Sequence, residues 1–353
     1  MKALILAGGE GTRLRPITHT SSKQLIPVAN TPILFYGLQA VAEAGIREVG
    51  IVVGDTAAEI EEACGGGSRW GVEITYLHQE APLGLAHAVL ISREFLDDDH
   101  FVMYLGDNIL LEGVSRFVRQ FEEHAPDAQI FLARVPEPER FGVAVLEGDR
   151  IVRLVEKPKD RISDLALVGV YLFDASIHEA VASVEPSWRG ELEITDSIQY
   201  LIDHGKTVRA EMVEGWWKDT GKLEDLLEAN RMMLSRMEGR VEGEVDEASR
   251  LVGPVVVESG AKVTRSLIRG PSIIGADTII EDSLIGPHAS IYVGCAISGS
   301  EVEDSIVMER CRIEGVPGIA ESLLGKDVEV SRGKRDRAIH RLMLGDQSQV
   351  EVL

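Results

Sequence analysis

The sequence has only three cysteines, Cys64, Cys295 and Cys311, in 353 residues. They are odd in number, widely separated and without a CxxC pair, which excludes a thiolate zinc site and argues against a disulfide framework. A reducing, cytoplasmic setting is the expectation. Positive charge is also short: 36 Lys and Arg against 58 Asp and Glu leave a formal charge of −22, which opposes association with nucleic acid or an anionic membrane surface. Long apolar runs are missing. The longest are strand-sized and interrupted by charge or glycine, well short of the roughly 20 residues that span a bilayer, so no transmembrane helix is expected. The opening MKALILAGGEGTRL carries one Lys and a five-residue apolar run that stops at glycines, too short for the h-region of a signal peptide, and reads as part of the fold.

What is present is a globular composition, 44% hydrophobic and 27% charged, in a chain long enough for about two domains. Over the first 235 residues or so, β-rich runs alternate with amphipathic stretches. Strands are predicted at Ala3–Leu6, Glu48–Val53, Glu73–Leu77, His100–Leu105 and Gln129–Val135. Helices are predicted at Ile33–Ala44, Thr56–Cys64, Leu85–Phe95, Gly113–His124, Ala175–Val184 and Ile194–His204. Strand and helix in turn, with connections long enough for crossovers, predict a mostly parallel α/β sheet covered on both faces.

The character changes after the Leu- and Met-rich run Leu223–Met237. A Gly- and Glu-rich segment, 238–250, reads as a linker, and beyond it the helical period vanishes. An aliphatic residue then recurs every six positions: Leu251, Val257 and Val263, and after a phase slip Ile273, Ile279, Ile285, Ile291 and Ile297. Glycine or an acidic residue often follows, as in Ile274-Gly275 and Ile280-Glu281. This is similar to the hexapeptide repeat of left-handed parallel β-helices, in which inward anchors bury themselves only by stacking on the next coil. At 18 residues per coil, 251–330 would give roughly four coils. The organisation read from the sequence is therefore 1–237, a linker 238–250, a β-helix 251–330 and a tail 331–353. That tail carries a basic cluster, Arg332, Lys334, Arg335, Arg337 and Arg341, which would suit a capping helix.

The most informative segment is LAGGEGTRLRP, Leu6 to Pro16, directly after the first strand. Gly8, Gly9 and Gly11 allow close approach of backbone to a ligand, and successive exposed amides there can form an anion nest. The dinucleotide fingerprint fails, because Leu14 stands where its third glycine belongs, and no GK[ST] follows to make a Walker A loop. Arg13, Arg15 and, further on, Lys23 make the region locally cationic in an acidic protein, with Arg suited to phosphate by its planar fork. Read without a ligand, the same glycines make a tight strand-to-helix turn.

Gly8 to Val28 resembles the GGxGTRLxPxTxxxxKxLxPV signature of sugar-1-phosphate nucleotidylyltransferases. Further matches follow in the family's order: HQEAPLGLAHA (His78–Ala88), LGDN (Leu105–Asn108), FGV (Phe141–Val143), EKP (Glu156–Pro158) and WWKDTG (Trp216–Gly221). SKQL and PLGLAHA are most similar to the glucose-1-phosphate thymidylyltransferases, and the added β-helix resembles their long form. The resemblance implies a Rossmann-like mixed, mostly parallel sheet of the nucleotide-diphospho-sugar transferase type. It implies a Mg2+-dependent reaction in which a glucose 1-phosphate oxygen attacks the α-phosphorus of dTTP, giving dTDP-glucose and pyrophosphate for deoxysugar biosynthesis. On it, Leu6, Gly8, Gly9, Gly11 and Thr12 line the nucleotide. Arg13 holds the β- and γ-phosphates, Lys23 offsets charge near the α-phosphate, and Lys157 holds the sugar's phosphate. Gln79, Gly84 and Leu85 meet the base. Asn108, Gly142, Glu156, Val170 and Trp217 line the sugar, and Asp107 and Asp219 hold the metal, two hard carboxylates beside substrate phosphates being a usual Mg2+ arrangement. No general base is required, since a sugar phosphate is already ionised, and His78 and His87 read as packing or solvent-facing residues.

The chain departs from the family's pattern at Phe141, where relatives often carry Tyr, and in DLALVGV, which lacks the commoner asparagine. Both bear on sugar selectivity. Use of UTP, which shares thymine's hydrogen-bonding edge, stays open at this point. So does acetyl transfer in the β-helix, although the only solenoid histidine is His288. The solenoid presents few convergent titratable groups, so a homo-oligomer with solenoid contacts is expected, and a chain ending near Met237 would keep the transfer residues but change its assembly or stability.

Overall fold

The structure is a computed structural model that describes residues 1–9, 11–148, 150–333, 343 and 346–351. The chain divides into two compact units: Met1–Glu10, Ser22–Leu25 and Ile33–Asp219 form the first, and Gly11–Ser21, Ile26–Pro32 and Thr220–Leu353 the second. Among the described residues no helix is long and apolar enough to cross a membrane, and Cys64, Cys295 and Cys311 are buried free thiols.

The strands are β1 (Lys2–Leu6), β2 (Pro27–Val28), β3 (Thr31–Pro32), β4 (Glu48–Val53), β5 (Glu73–His78), β6 (Phe101–Leu105), β7 (Asn108–Leu110), β8 (Ala128–Arg134), β9 (Gly142–Glu147), β10 (Arg150–Glu156), β11 (Leu165–Phe173), β12 (Val208–Met212) and β13 (Trp217–Asp219). The helices are α1 (Ile33–Glu43), α2 (Ala57–Cys64), α3 (Leu85–Ile91), α4 (Arg93–Leu96), α5 (Ser115–His124), α6 (Ile177–Ser183), α7 (Ile194–Asp203) and α8 (Leu223–Ser235).

The first unit is built on a nine-stranded mixed sheet whose main path runs β10-β9-β11-β6-β1-β4-β5. Its parallel block joins β6, β1, β4 and β5; the near-continuous apolar runs of β6, β1 and β4 suit strands covered on both faces, while EITYLH of β5 suits the sheet edge. Beyond this block the long strand β11 runs antiparallel to β6, β8 and β9. Two clusters fill the two faces, one around Ile5, Leu38, Val49, Tyr104 and Phe117, the other around Leu4, Val89, Met103, Leu132 and Ile198. A small ribbon pairs β13 with β7 in antiparallel fashion, placing Asp219 opposite Asn108.

The second unit contains the antiparallel hairpin β2–β3, the helix α8 and a β-helix of three parallel sheets with six, six and four short strands. The glycine- and glutamate-rich segment 238–250 is not a linker. Arg240–Val241 pairs in parallel with Val255–Val257, and Glu244–Val245 with Lys262–Thr264. Main-chain ladders supply the pairing, so a strand whose other face meets solvent tolerates glutamate and arginine. The last strand, Glu329–Ser331, pairs with Arg312–Glu314. Of the basic cluster beyond it, Lys334, Arg335, Arg337 and Arg341, together with the proposed capping helix, lie outside the described residues.

The coil is shorter than the expected 18 residues. Leu251, Ile268, Ile285 and Val302 stack at intervals of 17, as the pairings of their strands require. The inward residues are Ile274 and Ile280 rather than Ile273 and Ile279: Ile280 is sealed in the solenoid core while Ile279 is 44% exposed. Serine hydroxyls mark the same period. Ser249, Ser266, Ser283 and Ser300 each accept the backbone N–H of a residue one coil on, at 3.0–3.2 Å, which satisfies buried turn amides in place of water.

Candidate active site

β1 and β4 end side by side, and their parallel alignment brings two glycine turns together at the carboxyl edge of the sheet, where open α/β sheets bind ligands. A cleft there is lined by Gly8, Gly9, Gly54, Asp55, Thr56, Gln79, Glu80, Ala81 and Pro82. Leu6, one residue before the turn, is buried and belongs to the core. Gln79 follows β5, with its N–H bonded to Val53 O at 2.9 Å. Its Nε2 lies 2.9 Å from His87 Nδ1 and donates to Gly84 O at 3.3 Å, so His87 is neither simply packed nor simply solvated. Gly84 has a φ of 104°, and a Cβ there would lie 2.3 Å from Leu192 O, which leaves glycine as the residue that fits. Leu85 opens α3 immediately afterwards and is half-buried.

Gly11, Thr12 and Arg13 belong to the second unit. Gly11 is left-handed and starts a 3-10 turn over Thr12–Leu14, Thr18 Oγ1 donates to Gly11 O at 2.8 Å, and Thr12 and Arg13 are exposed.

In the first unit, Lys23 is 6% exposed and its Nζ lies 2.5 Å from Asp107 Oδ2. Asp107 sits in the turn between β6 and β7. Burial pushes its carboxyl up, but the Lys23 ammonium and hydrogen bonds from Lys23 and Asn108 outweigh this and hold it below the usual range. Asn108 donates from Nδ2 to Asp107 Oδ1 at 2.8 Å, and its own Oδ1 accepts from Trp217 Nε1 at 2.6 Å. The tryptophan thus locks the amide that locks the carboxylate, and its ring meets Phe141 edge-on at 5.5 Å between centroids. Asp219, two residues on from Trp217 on the same face of β13, lies opposite Asn108.

The residues assigned to the sugar also converge. Antiparallel β9 and β10 set Gly142 directly opposite Glu156. Glu156 is pushed up from the ordinary carboxylate range by burial and by the Glu193 carboxylate. It is contacted at 3.4 Å by both Arg189 Nη1 and Thr195 Oγ1. Arg189 also pairs with Glu193 at 3.2 Å and Glu191 at 2.5 Å. Lys157 adopts a φ of 39°, a strained value for a residue with a side chain. Its N–H donates to Phe141 O at 3.0 Å, and its Nζ lies 3.8 Å from Glu156 Oε1. Val170 is fully buried in β11 opposite Tyr104, so its backbone, not its side chain, is what it can offer a sugar.

Sequence reading missed Arg189, Glu193 and Thr195. RGELEIT reads as charge before a helix, and the one signal in it is a lone cation among acids. A Cβ on Gly142 would stand 2.7 Å from Thr195 Cγ2 and 2.9 Å from Glu156 Oε2. Gly142→Ala is therefore expected to displace Glu156 and raise the KM of a substrate held by Glu156 about tenfold, equivalent to one charged hydrogen bond, with a much smaller change for a substrate held at the glycine turn. Initial-rate kinetics with each substrate varied in turn measure this, and equal effects on both would refute it.

Residues 2–236 match the nucleotidyl transferase family, and the chain belongs to it. Within that class, the chain is 55% identical over 354 residues to a glucose-1-phosphate thymidylyltransferase of Streptomyces antibioticus, an alignment spanning 100% of this chain and 99% of the relative. It is 39% identical over 233 residues to the Neisseria meningitidis protein of that name, covering 65% of this chain and 81% of the relative. A crystal structure from Bacillus anthracis, assigned as a glucose-1-phosphate thymidylyltransferase and solved with sucrose, superposes with a TM-score of 0.64 at 34% identity. It covers 68% of this chain and 98% of that one.

Proposed function

We infer that the chain is a glucose-1-phosphate thymidylyltransferase, joining dTTP and α-D-glucose 1-phosphate into dTDP-glucose with release of pyrophosphate. The observation that carries this reading is the full-length 55% identity to a protein of that name, and the arrangement of charge in the site supports it. Two anions must meet, so the site needs cations placed on each and no general base, because the attacking phosphate oxygen is already ionised.

Arg13, an exposed residue, is assigned to the β- and γ-phosphates, for which its planar fork is suited. Lys23 sits against Asp107 and is assigned to the α-phosphate region, where it also keeps that carboxylate ionised. Lys157 takes the sugar's phosphate, and Glu156, held by Arg189 and Thr195, accepts from sugar hydroxyls. Gly8, Gly9, Gly11 and Thr12 supply backbone and hydroxyl contacts to the nucleotide. Gln79, Gly84 and Leu85 receive the base, while Asn108, Gly142, Val170 and Trp217 shape the sugar side.

The donor set fits Mg2+. Among the described residues no three His, Cys, Asp or Glu side chains cluster as a ready-made cage, whereas Asp107, in the turn before β7, and Asp219, on the strand paired with β7, offer two hard carboxylates and leave the other positions to phosphate and water, as Mg2+ prefers. Bound there, the ion would neutralise charge on the phosphate oxygens and polarise the α-phosphate.

We further propose a homo-oligomer with solenoid contacts, supported by the exposed Val241, Val252 and Ile279 on its strands. The decisive experiment is pyrophosphate release with Mg2+ across dTTP, UTP, ATP, CTP and GTP against a panel of sugar 1-phosphates. Highest kcat/KM is expected for dTTP with glucose 1-phosphate, and failure to form any nucleotide sugar refutes the reading.

A further inference from the structure

We infer that His87 is a positioning residue: it fixes which end of the Gln79 amide faces the nucleobase, and so gives the site its preference for an imide base over cytosine. The inference rests on the assignment of Gln79 to the base.

The two ends of a glutamine amide have opposite hydrogen-bonding character, and a glutamine at a base edge selects nothing unless something else chooses its orientation. Here one end of Gln79 lies 3.3 Å from Gly84 O and 2.9 Å from His87 Nδ1. A backbone carbonyl can only accept, so the end facing it is the NH2 group. His87 Nδ1 must then accept as well, which places the imidazole proton on Nε2. The opposite end, Oε1, is left toward the glycine turn, where an atom at the Cβ position of Gly8 would lie 3.4 Å from it. Both Gly8 and Gln79 line the cleft. A base entering the cleft therefore meets a fixed acceptor.

Thymine and uracil present N3–H to an acceptor facing that position, whereas cytosine presents an N3 lone pair there and offers a donor only by shifting to bring its N4 amine opposite. The Gly84 carbonyl shows which end is the NH2 group, but its contact at 3.3 Å is long and a poor lock alone, so the shorter His87 contact, with Nδ1 accepting, is what holds the amide in that orientation. His87 is itself well held. It stands on α3 between the buried Ala86 and Ala88, and the start of that helix is pinned by the Ala86 N–H to Leu192 O bond of 3.0 Å.

The test compares kcat/KM for dTTP and dCTP, the KM of glucose 1-phosphate and the melting temperature in the wild-type enzyme, His87→Leu and His87→Gln. Leucine removes the acceptor, and glutamine returns one at similar reach. In His87→Leu the dTTP KM is expected to rise about tenfold and the dTTP/dCTP preference to fall by at least about the same factor, the worth of one oriented hydrogen bond. The glucose 1-phosphate KM should stay within about twofold, and His87→Gln should recover most of the preference. A preference unchanged in His87→Leu overturns the inference, as does a parallel rise in both KM values or a glutamine variant no better than leucine. A wild-type enzyme that does not favour dTTP at all overturns instead the reading on which the inference rests.

Discussion

Asp107→Asn is expected to lower kcat by about 10²–10³-fold, the usual cost of removing one preorganised charge partner from a transition state, and to destabilise the protein as well. The sequence alone suggests a variant with an intact fold, since the change is isosteric. The structure adds that Lys23 lies 6% exposed with its ammonium on this carboxylate. Removing the charge strands a buried cation, a mechanism that costs about 3 kcal/mol when a buried pair is broken from one side. The pair is not wholly buried, because the Asp107 side chain is 25% exposed, so the loss belongs at or below that figure.

A second variant separates the two effects. Lys23→Met combined with Asp107→Asn removes both charges and should recover much of the stability while turnover stays low. Because Asp107 is held below the ordinary carboxyl range, its contribution to stability is complete above about pH 4 and is lost as pH falls through the lower folded value. Thermal unfolding and the pyrophosphate assay on the wild-type protein and the two variants check this. Near-normal turnover in Asp107→Asn would remove the residue from the proposed metal pair.

The candidate site is legible in the sequence wherever its proposed chemistry rests on consecutive residues at the end of a strand. LAGG, LGDN and WWKD each hold the strand, the turn and the functional group within a few positions, so β1, β6 and the role-bearing turns could be placed by pattern. β4 was readable residue for residue because EVGIVV holds four β-branched residues in six. What was not legible depends on partners distant in sequence. β11 is buried along all nine residues, so no alternation marks it, and Gly169 interrupts its propensity. The hairpin β9–β10 begins on a glycine whose meaning lies in Glu156 and Thr195. The predicted helix Leu85–Phe95 breaks at Ser92, whose hydroxyl bonds back to Ala88 O at 2.6 Å, a competition that bends or ends helices. In the solenoid, doublets such as Ile273-Ile274 and Ile279-Ile280 hide which member points inward. Both members of the first pair are buried, Ile274 inside the coil and Ile273 outside it with Leu234 and Val256.

Ending the chain at Met237 is expected to do more than change its assembly. Within the second unit, the tight turn of the β2–β3 hairpin holds Ala29 at φ 46° and Asn30 at φ 56°, conformations that cost residues with side chains about 1 kcal/mol or more each. The turn is kept by α8 and the solenoid. Asn230 of α8, fully buried, accepts at Oδ1 from the Ala29 N–H at 2.8 Å and from the Ser290 hydroxyl at 2.6 Å, and donates from Nδ2 to His288 O at 3.1 Å. Asn30 Nδ2 donates to Ile291 O at 2.8 Å. Around these bonds Ala29, Leu234, Val256 and Ile273 form a shared apolar cluster, and Arg231 pairs with Asp304. A chain ending at Met237 loses Ser290, His288, Ile291, Val256, Ile273 and Asp304 together. At about 1 kcal/mol for each of the hydrogen bonds and about 2 kcal/mol for each buried aliphatic side chain, the loss is about 7 kcal/mol, comparable to the whole stability of many domains. The hairpin begins directly after Lys23–Leu25, the turn that carries the buried lysine, so activity should fall with stability even though every residue assigned to transfer is still present. Light scattering, thermal unfolding and pyrophosphate release on the shortened chain, beside full-length Asn230→Ala, measure the two contributions. A shortened chain that keeps its melting temperature and its turnover would show that the hairpin holds its turn without the solenoid, and would return the solenoid to a role in assembly alone.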